Sequence, residues 1–326
     1  MSALARLPLG LDLGSSRVRL AQAVQARSGE ARLAAIAVRD LPQDAVTPDT
    51  ISEPELVAAI VEDLHREIGT RERRCVLSIG ADAASLRWVR FPPMGGNERR
   101  LAARFEAERF AGWDTKAIAS TVRVHPVQRE EHVYAVGAAR EAAIRSRIDC
   151  AKQSGLRPVG MDHDACALRR AFPLCDAVLD VGYRQAALHA FTPAGPISLR
   201  LSGGGIAITR AIAADLSIDA VAAEKRKRLF GTAGAGESAR LEFTSALDAA
   251  LKRAREKLPG LRRIAAAGNG SRLTGLAEAV ATASGATLEM TVSDLLRGGG
   301  YPDDVIRAAA QDWALAASLA VWSRSG

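Results

Sequence analysis

The sequence predicts an α/β protein of two similar halves, with an extra α/β block set into the first. Leu11-Asp12-Leu13-Gly14 returns as Leu179-Asp180-Val181-Gly182, and each copy is followed by two further strand-like runs and a helix. Between the copies, residues 86–155 run β-α-β-β-α, an order that neither half shares. The chain has 326 residues, 48% of them apolar and 25% charged, which suits about two domains with real cores.

The first half is organised around Gly10-Leu11-Asp12-Leu13-Gly14-Ser15-Ser16-Arg17-Val18-Arg19-Leu20. An apolar run ends on a lone aspartate, turns through Gly14 and two hydroxyl residues, and resumes alternation. Glycine permits close backbone approach, successive backbone N–H groups can cradle an anion, and Ser15 and Ser16 can donate to phosphate oxygens. Asp12 at the strand end would hold a hydrated Mg²⁺, which keeps several waters and takes few carboxylates. The same stretch is equally a hairpin with a hydroxyl-rich turn. Strands are expected at 7–13, 17–25 and 31–39, and a helix at 53–68 with Leu56, Ile60 and Leu64 on one face and Gly69 ending it. A strand at 73–78 follows.

The block at 86–155 opens with a strand closed by Pro92-Pro93. Asn97 is expected to cap a helix over 98–110 with Leu101, Ala102 and Phe105 inward. Strands at 121–127 and 132–138 flank a turn at Gln128-Arg129-Glu130-Glu131, and a helix over 141–153 ends at Gly155. A strand at 157–161 and a helix at 164–172 re-enter the first half. Asp162-His163-Asp164 between them has metal-ligating residue types, but three adjacent side chains on an extended segment do not converge. Asp164 is expected to be an N-cap.

The second half offers strands at 176–182, 185–192 and 196–201, a helix opened by Gly203-Gly204-Gly205, and helices at 218–230 and 237–258. Gly231-Thr232-Ala233-Gly234-Ala235-Gly236-Glu237-Ser238 imitates a P-loop but puts Glu237 where the phosphate-binding lysine must stand, and a helix precedes it. A strand at 262–267 leads into Gly268-Asn269-Gly270-Ser271-Arg272-Leu273-Thr274-Gly275; helices at 273–283 and 303–322 complete the chain.

The formal charge of +7 suits nucleotides, nucleic acid or an anionic leaflet, and suits equally an arginine-rich composition with no such partner. The Lys225–Arg228 cluster lacks the interleaved aromatics of a base-stacking surface, and no specific nucleic-acid binding is expected. Cys75, Cys150, Cys166 and Cys175 lack CxxC spacing and are expected to be reduced and buried. No signal peptide is read at the N-terminus and no run reaches a membrane span, so a soluble, cytoplasmic protein is expected. No GxSxG elbow or paired histidine spacing supports other chemistry.

Taken together, the two Asp-x-Gly turns and the loop at 264–276 resemble the two phosphate loops and the adenosine loop of the actin-like ATPase superfamily. The position of the 86–155 block resembles the PilM and FtsA families within it, as does Ala223-Glu224-Lys225-Arg226-Lys227. The resemblance implies an actin-like (ribonuclease H-like) two-domain fold with duplicated βββαβα cores and an inserted 1C-like subdomain. It implies subdomain 1A at 1–85, completed by 156–174 and 303–326, with 1C at 86–155, 2A at 175–205 and 260–302, and 2B at 206–259. ATP and Mg²⁺ are the implied cofactors. Asp12, Gly14, Ser15, Ser16, Asp180, Gly182, Glu224, Lys227, Gly268 and Gly270 are the implied nucleotide contacts. Asp12 and Asp180 would hold Mg²⁺ through water, and Asp162 would stand near the attacking water. Glu224 and Lys227 read equally as a solvated helix face.

The pattern is damaged where Tyr183-Arg184-Gln185 follows Gly182 and where Asn269 replaces a glycine. One lost charge-assisted phosphate contact costs roughly 1.5–3 kcal/mol, so weak nucleotide binding or none is expected, and turnover is doubtful. The preferred function is a scaffold of a type IV pilus, secretion or DNA-uptake platform, peripheral at the inner membrane. It would bind the N-terminal tail of a PilN-like membrane protein between 1–85 and 86–155; other platform proteins, motor ATPases and self-association complete the implied partners. The alternative is an active FtsA-like or GspL-like ATPase whose domain closure gates assembly. FtsA fits less well because no terminal amphipathic anchor is read beyond the last helix, and GspL because no membrane span is read.

Overall fold

The computed structural model of the chain describes residues 5–25, 29–124, 132–291, 293–296 and 300–322. The turn expected at 128–131 and the end of the strand expected to reach 127 lie outside these residues.

Strands β1 (Ala5–Arg6), β2 (Leu9–Leu13), β3 (Arg17–Gln25) and β4 (Ala31–Asp40) open the chain, followed by α1 (Pro54–Ile68) and β5 (Arg74–Ile79). The inserted block comprises β6 (Ala84–Arg90), α2 (Gly96–Ala111), β7 (Ile118–Val124), β8 (Val133–Arg140) and α3 (Glu141–Gln153). Its three strands form a separate antiparallel sheet in the order β6-β8-β7. Then β9 (Arg157–His163) completes the first sheet, β1-β3-β2-β5-β9 with β4 also on β3, and α4 (Asp164–Ala171) leads out of it.

The second lobe repeats the plan with β10 (Ala177–Val181), β11 (Ala186–Thr192) and β12 (Gly195–Leu201), then α5 (Gly205–Leu216), α6 (Ala220–Phe230) and α7 (Glu237–Lys257). It ends with β13 (Arg263–Ala267), α8 (Leu276–Ser284) and β14 (Thr287–Glu289), and α9 (Asp303–Ala320) closes the chain. Its sheet runs β12-β11-β10-β13-β14. In both sheets three antiparallel strands, β2–β4 and β10–β12, are followed by two parallel ones, and the first sheet adds the short β1 antiparallel to β3. β14 escapes a sequence reading because three residues are too short to show a period.

The sheet of each lobe packs on both faces. The outer face of the first packs Leu11, Val18, Leu20 and Leu77 against Val57, Val61 and Leu64 of α1 and Cys150 of α3. The second packs Leu179, Leu188 and Ile264 against α7 and α8. Between the lobes lie α4 and α9. Ala310, Ala316, Ala317 and Ala320 of α9 meet Ala21, Ala23 and Leu33 of the first sheet, while Ala314 joins Leu168, Val178 and Ala265 across the divide. Small side chains let this helix lie close, and Gly10 shows how close: a Cβ there would stand 2.0 Å from the Ala316 carbonyl oxygen.

Two helix faces differ from expectation. On α1 the buried stripe is Val57, Ala58, Val61 and Leu64, while Leu56 is exposed. On α2 the buried residues are Ala103 and Ala107, and Leu101 and Phe105 are 70% and 68% exposed. The inserted sheet lies close enough to α2 that alanines make the contact and the larger side chains face outward. The caps also shift. Gly95, not Asn97, precedes α2, with Glu98 accepting from the Gly95 N–H at 2.8 Å. His163, not Asp164, caps α4, its Nδ1 accepting from the Ala165 N–H at 3.1 Å.

Candidate functional site

The Asp12 strand end lines a cleft that Arg184 and Gln185 of the second lobe also line, and Asp180 is buried near enough to feel the Asp12 charge; the cross-strand register sets their electrostatics. Asp12 pairs across the ladder with Arg19, whereas Asp180 pairs with Ala187. Arg19 therefore donates to Asp12 Oδ2 at 2.9 Å, and Ser78 Oγ donates to Asp12 Oδ1 at 3.3 Å. The same guanidinium donates through Nε to Asp312 of α9 at 2.9 Å, and Arg17 Nη1 donates to the other Asp312 oxygen at 3.1 Å. Burial raises Asp12 above its ordinary range although Arg19 pulls it down. Asp180 has no such cation opposite it; burial and the nearby Asp12 charge push it up to about 7.

Two further aspartates belong to this cluster. Asp164, the first residue of α4, is 5% exposed and raised well above its ordinary value by burial and by Asp180, Asp12 and Asp82. Its Oδ1 has no hydrogen-bond partner. Asp82 lies after β5 and is raised by burial. Arg147 of α3, buried beside Asp82 and Asp164, supplies opposing charge and donates to the Ala143 carbonyl at 3.1 Å. Sequence reasoning missed Asp82, Asp164, Arg19 and Arg147 as cleft residues because only the chain crossing brings them together. Asp162 pairs with Arg170, its Oδ2 2.6 Å from the guanidinium.

The remaining expected residues are spread around this cluster. Gly14 closes its turn by donating to the Arg17 carbonyl at 3.0 Å, and Ser15 lines the cleft while the Ser16 carbonyl accepts from Leu41 at 2.8 Å. Gly182 donates to the Gln185 carbonyl at 2.9 Å. Gly268, at φ +74°, donates to Gln311 of α9, and a Cβ there would stand 2.5 Å from the Val181 carbonyl oxygen. A Cβ on Gly270 would meet Val181 Cγ1 at 2.4 Å, so both glycines serve the packing of this loop on β10. Lys227 donates to the Gly205 carbonyl at 2.9 Å and to Thr209 Oγ1 at 2.8 Å, and pairs with Glu224 at 2.7 Å. Burial lowers Lys227; for Glu224 the hydrogen bonds from Lys227 and Thr209 outweigh burial and lower it too. The lookalike P-loop at 231–238 is a connection whose Gly236, at φ +77°, sits on Ile212 and opens α7.

Comparison with known proteins decides the family. A family model described as type IV pilus assembly protein PilM matches residues 10–321. The chain belongs to that family. Among solved structures, a chain titled as the PilM–PilN type IV pilus biogenesis complex is 26% identical, with a TM-score of 0.85 over 96% of this chain and 97% of that one. The ethanolamine utilization protein EutJ from Carboxydothermus hydrogenoformans is 13% identical with a TM-score of 0.57, over 99% and 91% of the two chains, a likeness of fold. No curated protein matches the sequence. The fold expected from the resemblance, actin-like and α/β, is the fold observed, and the chain is a type IV pilus assembly protein of the PilM kind. No helix among the described residues is long and apolar enough to cross a membrane.

ATP, a cofactor the resemblance implies, does not fit this cleft as it stands. The space among Asp12, Ser15, Gly80, Asp82, Asp164 and Gln185 is about 50 Å³, against about 300–1,000 Å³ for a typical ligand pocket. Arg184 and Gln185 line it from the second lobe, whereas Tyr183 does not line it and feels the charges of Glu224, Arg210 and Arg228. No group of three or more metal-ligating side chains is set to hold an ion among the described residues. A larger space of about 490 Å³ lies far from the cleft, beside Arg66, Arg73 and Ser154 at the ends of α1 and α3.

Proposed function

We propose that this protein is a cytoplasmic scaffold of an inner-membrane pilus platform. It would bind the N-terminal cytoplasmic tail of a PilN-like membrane protein and be held at the membrane through that partner. The observation that carries this reading is the full-length likeness to a chain solved in a PilM–PilN complex. The architecture supports it. β9 ends the first sheet and β7 ends the inserted sheet, each with one strand neighbour among the described residues. An extended tail entering between residues 1–85 and 86–155 would find backbone donors and acceptors there, with alternate side chains seated in pockets. In this reading the inserted block is a 1C-like subdomain that makes one wall of the groove.

A titration tests the proposal. The full chain is mixed with the synthetic cytoplasmic tail of the PilN-like protein from the same genome, and heat or anisotropy is followed. Saturable binding is expected in the micromolar range, about −8 kcal/mol at 1 μM. A response that stays linear to several hundred micromolar, on the order of −5 kcal/mol or weaker, rules the scaffold reading out.

A further inference from the structure

We propose that the interlobe cleft of this chain takes its own Arg184 and Gln185 as ligands, so that the lobes are held together without nucleotide. This inference rests on cleft geometry and is independent of the tail-binding reading. Both residues lie in the β10–β11 turn of the second lobe. Arg184 forms an ion pair with Asp44, in the segment between β4 and α1 of the first lobe. With its amide nitrogen turned toward Asp82, Gln185 donates to both carboxylate oxygens at 2.7 and 2.9 Å. The fit is tight, because a Cβ on Gly80 of the first lobe would meet the end of the Gln185 side-chain amide.

The donors that would greet a phosphate are occupied in the same way. The N-terminus of α5 is the natural anion site beside this turn. Its Gly205 N–H donates to the Gly182 carbonyl at 3.0 Å and its Ile206 N–H to the Tyr183 carbonyl at 2.7 Å. A Cβ on Gly204 would stand 2.6 Å from the Gln185 nitrogen and 2.7 Å from the Gly182 oxygen, leaving no layer for a ligand between helix and turn. On the first-lobe side, Asp12 is already satisfied by Arg19. A cationic and an amide side chain thus bridge to first-lobe carboxylates across the place where a metal-nucleotide would bridge the lobes. Trp88 of the inserted sheet adds a second bridge, donating through Nε1 to the Pro196 carbonyl at 3.2 Å.

The test compares the full chain with an Arg184→Ser/Gln185→Ser variant, each with and without millimolar Mg-ATP. Thermal melting and the distance between spin labels on the exposed surfaces of α1 and α7 are followed. The parent is expected to melt at the same temperature with and without Mg-ATP. Its label distance should be single and narrow, and in the variant longer or broader. If the double variant does not fold, Asp44→Asn and Asp82→Ala cut the same bridges from the first lobe and are read identically. A parent that is stabilised by Mg-ATP overturns the proposal. So does an unchanged label distance once the bridges are cut.

Discussion

Asp12 and Asp180 hold the same place in two copies of one strand, and burial raises both, but only Asp12 has a cation beside it. Arg19 across the ladder neutralises the first; Ala187 leaves the second to burial and to the field of Asp12. A carboxyl raised from 3.8 to about 7 binds a proton on folding. Stability linked to it is therefore fully present at acid pH, falls as pH rises from about 4 to 7, and is constant above that. Asp180→Asn removes the titration while keeping the shape. The variant's advantage over the parent should be larger at pH 8 than at pH 5 by about 2–3 kcal/mol, measured by urea unfolding. An equal difference at both pH values would assign the effect to packing. The paired Asp-x-Gly turns were legible in the sequence because they are local. Arg19 was visible too, but its partner Asp312 is 293 residues away, and nothing in the pattern of either residue joins them.

At the scale of the element, helix and strand positions followed from periodicity, and what failed was the choice of face. On α2, Leu101 and Phe105 stand at i, i+4 and read as a buried stripe, but Ala103 and Ala107 make the contact with the sheet. Periodicity identifies a stripe; it does not say which of two stripes a small sheet approaches closely enough to need alanine. The consequence is testable. Leu101→Ser with Phe105→Ser should change unfolding free energy by less than about 0.5 kcal/mol per site, as for surface positions. A loss of about 3 kcal/mol or more would put those side chains in a core. Of the four cysteines expected to be buried, Cys75, Cys150 and Cys175 are and Cys166 is half-buried; all four are free, and burial pushes the Cys75 and Cys166 thiols up to about 12.

For the whole molecule, the lobes are joined by a core that begins at residue 9 and ends at residue 320, because α9 packs between the sheets. Gly10 permits that approach. Gly10→Ala drives a methyl into the backbone of α9 at Ala316 and should cost at least about 2–3 kcal/mol in denaturant unfolding, as overpacking against main chain does. A neutral outcome would mean that the helix lies farther from the sheet. The two-lobed plan was legible because the motif repeats; the state of the cleft was not. Tyr183-Arg184-Gln185 announced crowding, but only the crossing of lobes shows that Arg184 and Gln185 reach Asp44 and Asp82 while Tyr183 does not line the cleft.

A membrane-tethered scaffold of the proposed kind would grip its partner without nucleotide. Calorimetric titration of the full chain with the PilN-like tail, run with and without Mg-ATP, measures this directly. Saturable binding with the same Kd in both buffers is the predicted result. Binding that appears only with Mg-ATP, or none in either buffer, would contradict it.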